Sequence, residues 1–180
     1  MARGSNSLIA PVDLSGLESL MQELGDEAEQ VVRPAAQAAI QVLYDAAKSN
    51  VAAIPRVSGN LARSIYQAYS EENSGPTLAT YHLSWNAKTA PHGGLVEYGY
   101  WQRYSYRPDG MGPMVQAGME GRRKPGRRAS RAQKDAYYVP RPGGPVYVPG
   151  KAFMRRAMSS FGAASEASAA VLFEALEKVK

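Results

Sequence analysis

From Asp13 to Lys48 apolar residues recur at helical spacing, through Leu17, Leu20, Met21, Leu24, Ala28, Val31, Ala35, Ala39, Val42, Leu43 and Ala46. One stripe over many turns predicts a long amphipathic helix with its apolar face on a core. Asp13 or Ser15 can cap its start, and Ser15 with Glu18 has capping-box spacing. Pro34 has no N–H for the carbonyl of Gln30, which predicts a kink or a break near Val32. The pattern then changes. Leu61 to Ser70 is rich in strand formers. Thr77 to Asn86 alternates, with Leu78, Thr80, His82 and Ser84 on one side and Ala79, Tyr81, Leu83 and Trp85 on the other. Leu95 to Tyr98, between Gly93-Gly94 and Gly99, reads as a third strand, and Glu71 to Pro76 as a hairpin loop. Short connections of this kind predict a small antiparallel sheet. Phe153, Ala157, Met158, Phe161, Ala164, Val171, Leu172, Ala175, Leu176 and Val179 form a second helical stripe. The Ser/Ala-rich stretch from Ala163 to Ala170 makes its packing face narrow.

Between these elements, Tyr100 to Tyr147 holds seven Gly and six Pro, which excludes a long helix or a central strand through most of it. A loop of this length inside a compact domain is uncommon and is usually functional or disordered. Val146-Tyr147-Val148 is a candidate edge strand returning to the sheet. Extended, each arm of the loop has a reach on the order of 75 Å. At 180 residues the chain has room for one domain, residues 1–180, with a real core. The expected fold class is α+β: a small antiparallel sheet packed by a long N-terminal helix and a C-terminal helix, with a long basic loop, 100–147.

Charge changes the picture of that loop. It carries ten Lys/Arg and three Asp/Glu, a net +7, which leaves eleven basic and thirteen acidic residues elsewhere. The basic character therefore belongs to one segment. Within it, Gly121 to Arg131 places Arg122, Arg123, Lys124, Arg127, Arg128 and Arg131 in eleven positions. Such a run can bind phosphate with strong salt dependence, pair with an acidic protein surface, or be a solvated mobile loop that does neither. Trp101, Tyr104 and Tyr106 precede it and Tyr137 and Tyr138 follow it, flanking rather than interleaving. That arrangement favours a protein interface or a DNA-lined lumen over base stacking.

Catalytic chemistry finds little support. The chain has no cysteine and two histidines, His82 and His92, which excludes disulfides and thiolate sites and leaves little for an imidazole-based zinc site. His82, His92, Glu97 and Asp109 have no spacing that builds an acid–base pair, and no nucleophile elbow or phosphate-binding glycine loop is present. No enzyme activity, cofactor or metal is expected. His82 is expected on a strand face and His92 in a turn. No apolar run approaches the roughly 18 residues of a membrane span. The segment Met1 to Ser7 lacks the apolar stretch of a secretory signal, so synthesis is expected to end in the cytoplasm.

Three short patterns carry a family resemblance. The first is Pro55, then Ser58-Gly59, Leu61 and Ser64-Ile65. The second is His92 followed by Glu97-Tyr98-Gly99, and the third is Ala152-Phe153-Met154-Arg155-Arg156-Ala157. In this order, after a long N-terminal helix, they resemble the neck and tail-completion proteins of tailed bacteriophages. Ser58 stands where that family usually has threonine, and Arg156 where it usually has proline.

The resemblance implies a small α+β domain that forms a homo-oligomeric ring in the virion, at the neck or head–tail junction. Its partners would be portal or head-closure proteins and tail proteins, with contact to packaged DNA and none to a membrane. Pro55, Ser58, Gly59, Leu61, Ser64, Glu97, Gly99 and Phe153 would be structural positions. From the charge and aromatic pattern of the loop, not from the resemblance, Trp101, Tyr104, Arg122, Arg123, Lys124, Arg127, Arg128 and Arg131 are expected to face a partner or DNA. Glu97 is expected to need a partner, Arg63 or a backbone donor, in a salt bridge of the fold or interface. Gly59 and Gly99 are expected in turns a side chain would strain. The alternative is a basic nucleic-acid-binding module of another assembly.

Overall fold

A computed structural model describes residues 7–11, 26–55 and 58–179. The chain is α+β. Strand β1 (Ser7–Pro11) is followed by α1 (Asp26–Ala52), the short α2 (Asn60–Ser64), β2 (Ile65–Tyr69), a 3₁₀ turn at Glu71–Asn73, and β3 (Thr80–Trp85). Then come α3 (Gly93–Tyr98), β4 (Gly99–Gln102), α4 (Arg131–Tyr137) and β5 (Val146–Pro149). The chain closes with α5 (Phe153–Ala157), a second 3₁₀ turn, and α6 (Phe161–Val179). The capping positions expected at Asp13, Ser15 and Glu18 lie outside the described residues.

Helix α1 organises the core. Val32, Ala36, Ala39, Ile40, Leu43, Ala47 and Val51 are buried at three- and four-residue spacing, the pattern of one helix face. Of the kink or break expected near Val32, the break does not occur, since the helix continues through Pro34. Gln30, whose carbonyl loses its donor, is exposed, so water can take that bond. Ala164, Ser168 and Leu172 form the buried face of α6, which packs along α1. Small residues there let the two helices approach closely.

The main sheet is antiparallel in the order β1-β3-β2, with Leu8 opposite Leu83 and Gln67 opposite Leu83 on the other side. Strand β1 was not foreseen, because a five-residue segment ending in proline has no alternation to mark it. As the central strand, β3 buries Tyr81, Leu83 and Trp85, and also Thr80 and Ser84. The hairpin loop between β2 and β3 is as expected. His82 lies on β3 and His92 in the turn before α3.

Four further expectations are corrected. Leu61 to Ser64 is helical rather than extended, because Arg63 N donates to Gly59 O at 3.3 Å and Lys48 Nζ to Ala62 O at 2.8 Å, closing a turn on α1. Leu95 to Tyr98 is helical too. In α3 Gly93 and Glu97 are buried, while Leu95 and Tyr98 are exposed, a four-residue rather than a two-residue period. Gly93 lies under the indole of Trp85, where a Cβ would fall 2.2 Å from Nε1. The returning strand Val146–Pro149 pairs with β4 in a separate two-stranded sheet, Trp101 opposite Tyr147, rather than joining the main sheet. The C-terminal helix is interrupted at Met158–Ser160 by the 3₁₀ turn.

Candidate interaction site: a buried carboxylate latch and a basic arm

Ala152 precedes α5 in a left-handed conformation, φ 49°, and has no side-chain oxygen to cap the helix. Glu97 supplies the cap from 57 residues away. Its Oε2 accepts from Met154 N at 2.9 Å, and its Oε1 accepts from Arg155 N at 3.2 Å and Arg155 Nε at 3.0 Å. The Glu97 carbonyl accepts from Arg155 Nη2 at 3.0 Å. These amides are orphan donors of the first helical turn, and an anion there also meets the positive helix end. The carboxylate is fully buried, whereas the Arg155 side chain is 58% exposed. Its guanidinium lies over the Tyr98 ring, 5.3 Å from the centroid.

Arg63 is not the partner. It closes its own turn, donating to Ser58 O and Asn60 Oδ1 at 3.0 and 2.7 Å. A backbone donor was the correct half of the expectation. Arg155 was visible as part of the third pattern but not as the partner of Glu97, since nothing local links positions 58 residues apart.

The structural positions fall in two places, around the latch and in the turn that opens α2. Ser58 Oγ accepts from Asn60 N at 3.4 Å, and Gly59 has φ 71°. Leu61 and Ser64 are buried, and the Ser64 carbonyl accepts from Asn86 N at the end of β3, at 2.9 Å. Pro55 is exposed just past α1. Phe153 is fully buried with its ring 5.6 Å from Trp85, and its carbonyl accepts from Asn50 Nδ2 of α1 at 3.0 Å. Gly99 has φ 85°, and a Cβ there would meet Tyr147 Oη and Val148 O at 2.6 Å. The second and third patterns are thus in direct contact, and the first closes against β3.

The segment 100–147 is a folded arm rather than an open loop. Beyond β4 and β5, Tyr104 bridges Pro140, Tyr106 bridges Pro113, and Val115 bridges Tyr138. Ser105 N donates to Val139 O, Val139 N to Met114 O, and Met114 N to Ser105 O, at 3.0, 3.0 and 2.7 Å. Three segments therefore close on one another, which shortens the reach well below that of an extended chain. The flanking aromatics make this possible. Tyr104 and Tyr138 lie 5.3 Å apart, Tyr137 and Tyr138 4.9 Å, and Trp101 and Tyr147 5.6 Å. Tyr104 Oη donates to Asp135 Oδ1 at 2.8 Å. Burial, and then this bond, raise the Tyr104 phenol above its usual range; burial does the same for Tyr106 and Tyr138. Asp135 was not singled out in the sequence.

At the far end of the arm, Ser130 and Gln133 form a capping box that starts α4, a helix that buries no residue. The basic run leads into it. Arg131 pairs with Asp135 at 3.6 Å and Arg107 with Asp109 at 3.4 Å. Arg122, Arg123, Lys124, Arg127 and Arg128 are exposed and form no ion pair among the described residues. The carbonyls of Arg122 and Arg127 accept from Tyr137 Oη and Lys134 Nζ, so the backbone is held while the guanidinium groups stay free of acidic partners. Trp101 is 63% exposed at the base of the arm, with Tyr98 and Tyr147 beside it. The arrangement offers an aromatic patch at the base and a positive patch at the tip.

Among the described residues, no cluster of His, Cys, Asp or Glu could hold a metal ion, and no helix is long and apolar enough to cross a membrane. Set against protein-family models, curated proteins and solved structures, the chain has no match.

Proposed function

We propose that this chain is a structural virion protein of a tailed bacteriophage, a neck or tail-completion subunit that closes into a ring between the portal or head-closure side and the tail, and that it carries no enzyme activity. The observation that carries the reading is the contact between two of the three family-like patterns. Glu97 of the second caps the helix that opens the third, so the resemblance rests on positions that depend on one another. The form of the chain suits the role. Among the described residues, strands β1 and β2 are the edges of their sheet, and ring neighbours can cover such edges. A heterologous interface closed by rotation makes a ring. The arm carries its charge and aromatics away from the core, as a joint to another subunit requires. Glu97 is committed to its own chain, which favours a structural over an acid–base role.

A second reading, a basic nucleic-acid-binding module, draws on the five cations left without ion pairs at the arm tip. It predicts that the isolated chain binds duplex DNA with an affinity falling steeply with salt, and that removing 122–131 abolishes binding. The ring reading is tested by preparing particles without this chain. It predicts filled heads and separate tails that join when the purified protein is added back. Complete infectious particles formed in its absence would overturn it.

A further inference from the structure

We propose that the arm tip of one copy of this chain grips the outer face of α6 on a second copy, with Phe173 of that copy seated between Arg123 and Lys124 of the arm. The inference rests on the ring reading and specifies the contact that would close the ring. The tip has an open depression of about 410 Å³. Met119, Pro125, Ala136 and Tyr137 give it an apolar floor, and Arg123 and Lys124 a cationic rim. A solvated charge run has no need of such a floor.

The complementary surface is on α6. Its inner face, Ala164, Ser168 and Leu172, is buried on α1. Glu166, Ala170, Phe173 and Glu177, at four-, three- and four-residue spacing, share the exposed face. At 67%, Phe173 is the most exposed of the large hydrophobic side chains among the described residues. Glu166 and Glu177 flank it along the axis by about 10 and 6 Å. Glu174 beside it is held by Lys178 at 2.7 Å. The helix thus carries three Glu against one Lys, whereas the arm is strongly positive.

An aromatic anchor filling a pocket is a recurrent form of interface hot spot, and the opposite charges around it would steer encounter and fix register. Depression and anchor are both open to solvent in the same chain, so one copy supplies the arm and another the helix. Repeated, that contact is heterologous and closes into a ring when the rotation permits. Duplex DNA would use the cations but leave both the apolar floor and Phe173 without a partner.

The absence of cysteine permits a direct test. Ala136→Cys on α4 and Ala170→Cys on α6 change exposed helical positions on the two surfaces. Full-length protein carrying both, oxidised in assembled complexes, is expected to give a ladder of covalent oligomers ending at the ring number. Either variant alone should give no ladder, and a mixture of the two only dimers. Phe173→Ala, or Arg123→Glu with Lys124→Glu, is expected to lower ladder yield at least tenfold. Rings visible in the microscope without a ladder would overturn this contact and leave the ring reading standing. Neither ring nor ladder would remove both. Suppression of the ladder by added duplex DNA, with the arm cysteine protected from alkylation, would assign the tip to DNA and overturn the proposal.

Discussion

Glu97 shows how one residue can join distant parts of a chain. An acid among apolar neighbours signals a required partner, and that much is readable in the sequence. The partner is the start of α5, which only the fold brings near, so Arg63 was the nearer and mistaken candidate. Glu97→Ala strands two helix-end amides and removes the carboxylate facing Arg155. Allowing for the exposure of Arg155, the expected cost is about 3 kcal/mol, measured by urea unfolding; a variant as stable as the parent would contradict the capping role. A smaller test lies on the inner face of α6. Ser168 Oγ is buried with no hydrogen-bond partner among the described residues. Ser168→Ala is therefore expected to stabilise the protein by roughly 1 kcal/mol, seen as a raised melting temperature.

At the scale of elements, legibility followed periodicity. Strand β3 was readable because its alternation runs long enough to exclude a helix. The four residues Leu95 to Tyr98 fit either period, and burial of Glu97 rather than Leu95 decided for the helix. The arm was read correctly as glycine- and proline-rich and basic, but its internal pairing was not, since single bridges such as Val115 to Tyr138 leave no repeating pattern. Its tyrosines give it a testable pH dependence. Tyr104, Tyr106 and Tyr138 are raised, chiefly by burial, so the folded arm favours the neutral phenol. That contribution is complete below the ordinary phenol range, about pH 10, and is lost as pH rises through the raised folded values. In an alkaline titration Tyr104, Tyr106 and Tyr138 should ionise above the ordinary phenol range, together with loss of the arm's near-ultraviolet dichroism. Ionisation of these three within the ordinary phenol range would contradict the packing described.

For the whole molecule, charge separation and open edges matter more than any single contact. The α+β class and the two-helix core were legible from the apolar stripes. The candidate site was legible only as separate pieces, because the latch, the aromatic base and the tip are joined by contacts across 30 to 60 positions, such as Tyr147 Oη to Tyr98 O at 2.9 Å and Met154 N to Glu97 Oε2. With the basic residues gathered on the arm and the remainder slightly acidic, one copy can present opposite signs to its two neighbours. Deleting the arm tip, 119–137, is expected to leave a folded core with unchanged core melting but no assembly. Loss of the core transition would contradict the separation of arm from core.

The central claim is that the chain works as a ring at a head-to-tail junction. Electron microscopy of particles containing it, reconstructed with symmetry left free, tests this most directly. The account predicts a closed ring of this fold between the head and the tail, each arm resting on the next subunit. Isolated copies spread along DNA, with no ring at the junction, would contradict it.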